Sequence, residues 1–362
     1  MGWSLKLGRI AGIDLYMHAT FPLLFIWVGF VYWAQTGTLE GVLFGLSFIA
    51  VLFVCVVLHE YGHALTARRY GIGTRHITLL PIGGVAMLER MPRDPGQEIV
   101  VALMGPAVNV AIAAGLFVIL GLTGGTAGNG GEVMAPALMP ANFLQSVLYA
   151  NIFLAVFNMS PAFPMDGGRV LRAALSWRMG RLAATRLAAR IGQALAVGLG
   201  LLGLFGNPLL ILIAVFIWIG AAAETGASEV ETQLQGKPVA RAMITDFQTL
   251  APDWKLARAV ELTLAGTQKD FPVLDGERLV GVANQGGILR GLRDHGLDGR
   301  IGDIMAPAVT AETDADLARL LENLQQQEVR LICILQRGRL VGVVDLDNIS
   351  EFLRIQAALQ DR

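Results

Sequence analysis

Leu58-His59-Glu60-Tyr61-Gly62-His63-Ala64-Leu65 closes an apolar run that begins at Leu43. The run has membrane length, and its end carries three ionisable groups. Histidines four residues apart share one face of a helix, so His59 and His63 can bind one Zn2+ between them. Glu60 follows the first histidine and can reach a metal-bound water without ligating the metal. Zinc lowers the pKa of such a water towards about 7, and the carboxylate takes its proton and passes it on. The same five-residue pattern arises by chance in soluble helices. At the end of an apolar span, a structural reading must find partners for three polar groups at once. Ionisable groups at membrane depth are costly and usually functional.

Outward from this stretch, the composition agrees with a membrane protein. Hydrophobic residues make up 54% of the 362 and charged residues 16%, against roughly a quarter charged in soluble domains. The net charge of −1 and the lack of a basic stripe argue against nucleic acid as a partner. The two cysteines, Cys55 and Cys333, imply no disulfide framework. The N-terminus does not read as a signal peptide.

Stretches of membrane length fall at about 18–35, 43–68, 98–122, 142–160, 188–205 and 208–223. The last two meet at Gly206-Asn207-Pro208 and form either two crossings or a hairpin that dips into the bilayer. The segments 36–42 and 123–141 contain no Lys or Arg, whereas Lys6, Arg9, Arg68, Arg69, Arg75, Arg90, Arg93 and the arginines of 169–190 collect on the other side. Six crossings put all of these on one face, which should be cytoplasmic. Between the second and third spans, Thr74–Leu80 and Val85–Leu88 read as a β-hairpin around Pro81-Ile82-Gly83-Gly84. The expected fold is a polytopic α-helical membrane protein of about six transmembrane helices with a small β-hairpin, occupying residues 1–224. A polar linker, 225–237, leads to a charged, soluble α/β second half.

A hydrolytic zinc site needs a third protein ligand and one open position. His18, His76 and His295 remain, and a carboxylate is the other option. Asp166 lies just after the fourth span, in Asn158-Met159-Ser160-Pro161-Ala162-Phe163-Pro164-Met165-Asp166-Gly167-Gly168. It falls on the same side as the end of the second span, at a depth similar to His63. By itself it reads equally as a helix N-cap before an amphipathic helix at 167–178.

With these blocks in place the chain resembles the site-2 protease family of intramembrane metalloproteases. The likeness rests on His59-Glu60-x-x-His63, Gly83-Gly84, Met104-Gly105-Pro106-Ala107-x-Asn109 and Asn158-x-x-Pro161-x-x-Pro164-x-Asp166-Gly167-Gly168, in order across about residues 10–225. Met159-Ser160 departs slightly from the family pattern. The resemblance implies Zn2+ held by His59, His63 and Asp166, with Glu60 activating water. It implies cleavage of single-span membrane-protein substrates within the transmembrane segment, near the cytoplasmic face. Asn158 matches a family asparagine near the site, with a role in steadying the substrate backbone or oxyanion; a span-end residue satisfying local backbone is the plain alternative. Asn109 is expected to support packing, and His18 to be interfacial. A helical substrate hides its scissile amide in intrahelical hydrogen bonds and must unwind, and the edge of the 74–88 hairpin is a candidate for pairing with the unwound segment.

The second half repeats. Val239–Met243, Phe271–Leu274 and Arg278–Val282 have counterparts at Ile301–Met305, Leu331–Leu335 and Arg339–Val343, with helical middles at about 254–265 and 314–327. The β-α-β-β-α pattern over 238–356 resembles a tandem CBS module. The resemblance implies regulation, with adenine nucleotide binding in members that carry Ser or Thr and then Asp three residues apart. Here those positions hold Asn284 and Gly287, and Asp345 and Asn348. The erosion favours a structural, dimerising (homodimer) or substrate-gating module over a nucleotide sensor. A CBS-regulated transporter or channel, or an inactive protease-like scaffold, are the rival readings. Neither requires His-Glu-x-x-His together with a third carboxylate.

Overall fold

The computed structural model describes residues 4–81, 83–123, 143–326 and 329–360. The chain divides into two compact units, Met1–Ser228 and Glu229–Arg362. The first opens with strands β1 (Ser4–Ile10) and β2 (Ile13–His18), then helices α1 (Phe21–Thr36) and α2 (Leu39–Arg69). Strands β3 (Thr74–Leu80) and β4 (Gly83–Leu88) follow, then α3 (Pro95–Leu122), α4 (Phe143–Asn158), α5 (Asp166–Met179), α6 (Arg181–Phe205) and α7 (Leu209–Leu234).

Local chemistry sets the helix ends. Thr38 accepts a hydrogen bond from the Gly41 amide, and Asp94 from the Gln97 amide with Pro95 in the first turn, so α2 and α3 begin on capping side chains. Gly37 closes α1 in the left-handed conformation that glycine tolerates, φ 64°. Among the described residues, four helices, α2, α3, α6 and α7, are long and apolar enough to cross a bilayer; α1 and α4 are apolar, with 16 described residues each. The first unit is therefore several long apolar helices with two shorter ones, as expected of a multi-pass protein. The final pair is two separate long helices joined at Gly206-Asn207-Pro208. The loop expected at 123–141 lies outside the described residues apart from Thr123, and so does Ile82 of the expected hairpin turn.

The hairpin is present, but it is half of a larger sheet. The order is β1-β2-β3-β4, with β2 and β3 parallel and the other neighbours antiparallel. Strands β1 and β2 were not expected. Ile10 pairs with Ile13 across the two-residue turn Ala11-Gly12, where both residues have positive φ, 51° and 84°. That is the turn geometry matching strand twist, here with alanine in place of the usual Asn or Asp. The sheet packs its Ile13, Leu15, Ile77 and Leu79 side chains on Phe21, Phe53, Tyr61 and Ala64 of α1 and α2.

α7 runs through most of the stretch read as a linker, so the chain is helical to Leu234. The second unit repeats itself in structure as in sequence. α8 (Leu256–Ala265), β5 (Phe271–Asp275), β6 (Arg278–Ala283) and α9 (Gln285–His295) form the first copy. A short helix α10 (Ile301–Ile304) precedes β7 (Val309–Glu312), α11 (Leu317–Gln326), β8 (Ile332–Gln336), β9 (Arg339–Val344) and α12 (Leu346–Gln360). The register slips at Val273/Leu274 in the first antiparallel pair and at the matching Ile334/Leu335 in the second. The copies exchange their openings. Ile244 bridges Val343 of the second copy, and Ala306 bridges Val282 of the first. The repeated Gly281 and Gly342 are needed there: a Cβ would lie 2.9 Å from the Ala306 carbonyl oxygen, or 2.7 Å from Met243 Sδ.

Candidate metal centre

His59 and His63 sit one turn apart near the end of α2, and Asp166 begins α5; all three are buried. His59 Nε2, His63 Nε2 and Asp166 Oδ2 converge, with separations of 3.1 Å between the imidazoles and 3.2 and 3.1 Å to the carboxylate. Four tetrahedral ligands at zinc distances of roughly 2.0–2.1 Å stand about 3.3 Å from one another. The three donor atoms match that spacing.

The outer face of each ring decides what the inner face can do. His59 Nδ1 lies 2.5 Å from Asn109 Oδ1, and His63 Nδ1 lies 2.7 Å from the Val101 carbonyl oxygen. A carbonyl only accepts. Asn109 Nδ2 donates to Asn151 Oδ1 at 2.8 Å, which leaves its oxygen for His59. Both Nδ1 atoms therefore carry a proton, so in the neutral, metal-ligating form of each ring the Nε2 lone pair points inward, toward the other ring and the carboxylate. Three inward lone pairs repel unless a cation lies among them. The donor set fits Zn2+, with two imidazoles, one carboxylate and an outer acceptor on each ring.

Glycines make this convergence possible. A Cβ on Gly105 would overlap His63 Nε2 and lie 2.6 Å from His59 Nε2, and one on Gly62 would lie 2.6 Å from the Met104 carbonyl oxygen, so α2 and α3 touch across these two residues. Pro106 cannot donate to the Ala102 carbonyl and crowds it; the neighbouring Val101 carbonyl is the one that receives His63. A Cβ on Gly167 would overlap the Met159 and Ser160 carbonyls, and one on Gly168 would lie 2.6 Å from the Ala162 carbonyl carbon. The pair seats the first turn of α5 directly on the loop after α4.

Glu60 does not join the ligands. Its Oε2 accepts from the Ala86 amide of β4 at 3.0 Å, and Gly84 lets the strand approach, since a Cβ there would be 2.8 Å from Glu60 Cγ. Glu60, the three donors, Asn158 and Arg169 line one cleft of about 370 Å3 with Val56, Leu154, Phe157, Phe216 and residues of β4. Asn158, the last residue of α4, is thus brought to the site. The other histidines are not. His18 bonds Thr20 at 2.8 Å on the surface, His76 lies edge-on to Tyr16 in the sheet, and His295 belongs to the second unit.

Sequence reasoning gave Asn109 a packing role, whereas it holds His59. It missed Asn151 altogether, a fully buried residue that passes the chain on to Cys55 Sγ at 3.4 Å and the Val147 carbonyl at 2.9 Å. An asparagine inside an apolar span, seven residues before Asn158, was the available signal. Interhelical hydrogen bonds in membranes average about 0.6 kcal/mol. Loss of an outer hydrogen bond to a ligand costs about 10–100-fold in metal affinity, or roughly 1.4–2.7 kcal/mol. The larger consequence of this chain is therefore at the metal.

Fold and site together define a multi-pass membrane zinc metalloprotease. Residues 47–139 and 128–199 match the model of Peptidase family M50, and 239–294 and 301–355 match the CBS domain. The chain is 32% identical to the zinc metalloprotease MJ0392 of Methanocaldococcus jannaschii, over the whole of both proteins. It is also similar to the solved site-2 protease of that organism, at 38% identity over 62% of this chain and 95% of the other, with a TM-score of 0.47. The chain belongs to Peptidase family M50, the site-2 type of intramembrane zinc metalloprotease, with a C-terminal CBS pair.

Proposed function

We propose that the chain hydrolyses a peptide bond within the transmembrane segment of single-span membrane proteins, near the cytoplasmic face, with Zn2+ held by His59, His63 and Asp166. The convergence of three lone pairs with both outer imidazole nitrogens engaged is the observation that carries this reading. Zinc, when bound, polarises a water molecule and supplies Lewis acidity at the scissile carbonyl. Glu60 accepts the proton of the attacking water and returns it to the leaving amine. Asn158, at the rim of the cleft, donates to the substrate carbonyl or its developing oxyanion. The apolar walls formed by Val56, Leu154, Phe157 and Phe216 suit side chains arriving from lipid. The Lys and Arg bias, with Arg68 and Arg69 ending α2, supports a site toward the cytoplasm. Cleavage of a single-span substrate in proteoliposomes, with and without Glu60, tests the reading.

The substrate is held extended along β4. This strand is an edge of the sheet and lines the cleft. Ala86 points its amide away from β3 toward Glu60, so by strand alternation Gly84 and Leu88 face the same way while Val85 faces β3. Proline at Val85 or Thr78 would damage the sheet itself; Leu88 is the position that reads strand addition. Leu88→Pro is expected to raise KM several-fold with zinc content unchanged. An unchanged KM in the folded variant would exclude pairing along this edge.

The CBS pair is read as a dimerising or substrate-gating module. The residues at the eroded nucleotide positions are engaged in helix starts. Asn284 accepts from the Gly287 amide at 2.7 Å, and Asp345 from the Asn348 amide at 2.8 Å. The position three residues on, where the pattern calls for Asp, holds Asn348, which has no carboxylate for a ribose hydroxyl. Titration of the full chain with ATP and AMP in a calorimeter should show no binding tighter than millimolar. Micromolar binding of either would restore the nucleotide-sensor reading.

A further inference from the structure

A buried ion cluster lies outside the metal centre but on the helix that supplies its carboxylate. Arg172, six residues after Asp166 on α5, is only 1% exposed. Its Nε and Nη2 donate to Glu98 Oε1 at 2.8 and 2.5 Å, and its Nη1 pairs with Glu224 of α7. The guanidinium lies 5.2 Å above the Phe163 ring, in the segment leading to Asp166. Glu98, in the first turn of α3, is 3% exposed and also faces Arg181 Nη1 at 3.5 Å. One arginine thus ties α5 to the start of α3, the polar end of α7 and the loop before Asp166. A buried pair of this kind is weak as a source of stability, because apolar replacements of similar volume often serve as well. What it supplies that an apolar contact does not is direction: a planar fork with fixed donors.

Asp166 is the first residue of α5, so its carboxylate moves with that helix. Gly167 and Gly168 seat the helix on the loop after α4, and Arg172, four residues after Gly168 and so on the same face one turn later, ties that face to α3 and α7. We propose that Arg172 and Glu224 are positioning residues for the metal centre, clamping α5 between α3 and α7 so that Asp166 stays within reach of both imidazoles. The inference rests on Asp166 as the third zinc ligand.

The test is zinc affinity of the full chain in detergent, by competition with a chromophoric chelator, with the visible spectrum of the Co2+-loaded protein as a second readout. Glu224→Gln is expected to weaken zinc binding several-fold, less than the about 10–100-fold typical of a partner bonded directly to a ligand, and to shift the Co2+ bands, with Glu224→Asp recovering part of both. If Glu224→Gln does not accumulate, Arg172→Lys, which keeps the charge but loses the fork, is expected to show the same loss. A folded variant of either kind that binds zinc within about twofold of the parent, with unchanged Co2+ bands, overturns the proposal. So does failure of both to fold, which would mark the cluster as structural support alone. A parent chain that binds no zinc would instead overturn the reading of the metal centre.

Discussion

Gly105→Ala is expected to empty the metal centre while leaving the helices in place. The added methyl would overlap His63 Nε2 and lie 2.6 Å from His59 Nε2, inside the space the cation needs. Neither ring can turn aside, because each Nδ1 is held, by Asn109 and by the Val101 carbonyl. α3 cannot retreat alone, because Gly62 brings α2 against the Met104 carbonyl on the same contact. The helices must part by several tenths of an ångström to an ångström, which separates ligands that need to converge. Since loss of a single outer hydrogen bond costs about 10–100-fold in metal affinity, a direct intrusion should cost more than about 100-fold. Zinc retained after dialysis against a chelator measures it, with far-ultraviolet circular dichroism as the control for folding. Parent-like zinc retention in the alanine variant would contradict the placement of the cation between α2 and α3.

Glu60→Gln is expected to lose catalysis and keep zinc. Glutamine is nearly isosteric, and its amide oxygen can still accept from Ala86, so β4 should remain docked on the cleft. What is lost is the capacity to take a proton. General acid–base groups contribute about 100–10,000-fold, and kcat should fall by that order with zinc content unchanged. The assay is cleavage of a single-span substrate in proteoliposomes, followed by mass spectrometry of the products. Persistent cleavage by Glu60→Gln would sink the role given to Glu60. Loss of zinc in the same variant would mean that Glu60 is a ligand.

Much of this was legible in the chain because the chemistry is written in local patterns. His59-Glu60-x-x-His63 is a spacing on one helix, the apolar runs are long, and the CBS copies repeat one another segment by segment, to which the structure adds the shared slip at Val273/Leu274 and Ile334/Leu335. The proposal that Asp166 serves as third ligand came from a resemblance, and the geometry that favours it spans 103 residues of sequence. What stayed hidden depends on contacts between distant segments. Asn109 and Asn151 are 42 residues apart and become one chain to His59 only when α2, α3 and α4 pack. Gly105 and Gly62 look like ordinary small residues of membrane helices until two backbones meet on them. Strands β1 and β2 escaped notice because their turn uses Ala11-Gly12 and because Leu5, Leu7 and Ile10 of the edge strand stay exposed, which blurs the alternation. The partners of Glu60 and Arg172 were equally out of reach, since a side chain's spacing along the sequence carries no information about a strand or helix tens of residues away.

Zinc-edge X-ray absorption on the purified full chain, beside its Asp166→Ala variant, bears most directly on the centre itself. The parent should show two imidazole nitrogens at about 2.0–2.1 Å, carboxylate or water oxygen at about 2.0–2.2 Å and no sulfur, and the variant should bind less zinc and lose an oxygen neighbour. Sulfur at about 2.3 Å, or an identical zinc content and spectrum without Asp166, would contradict a centre made by His59, His63 and Asp166.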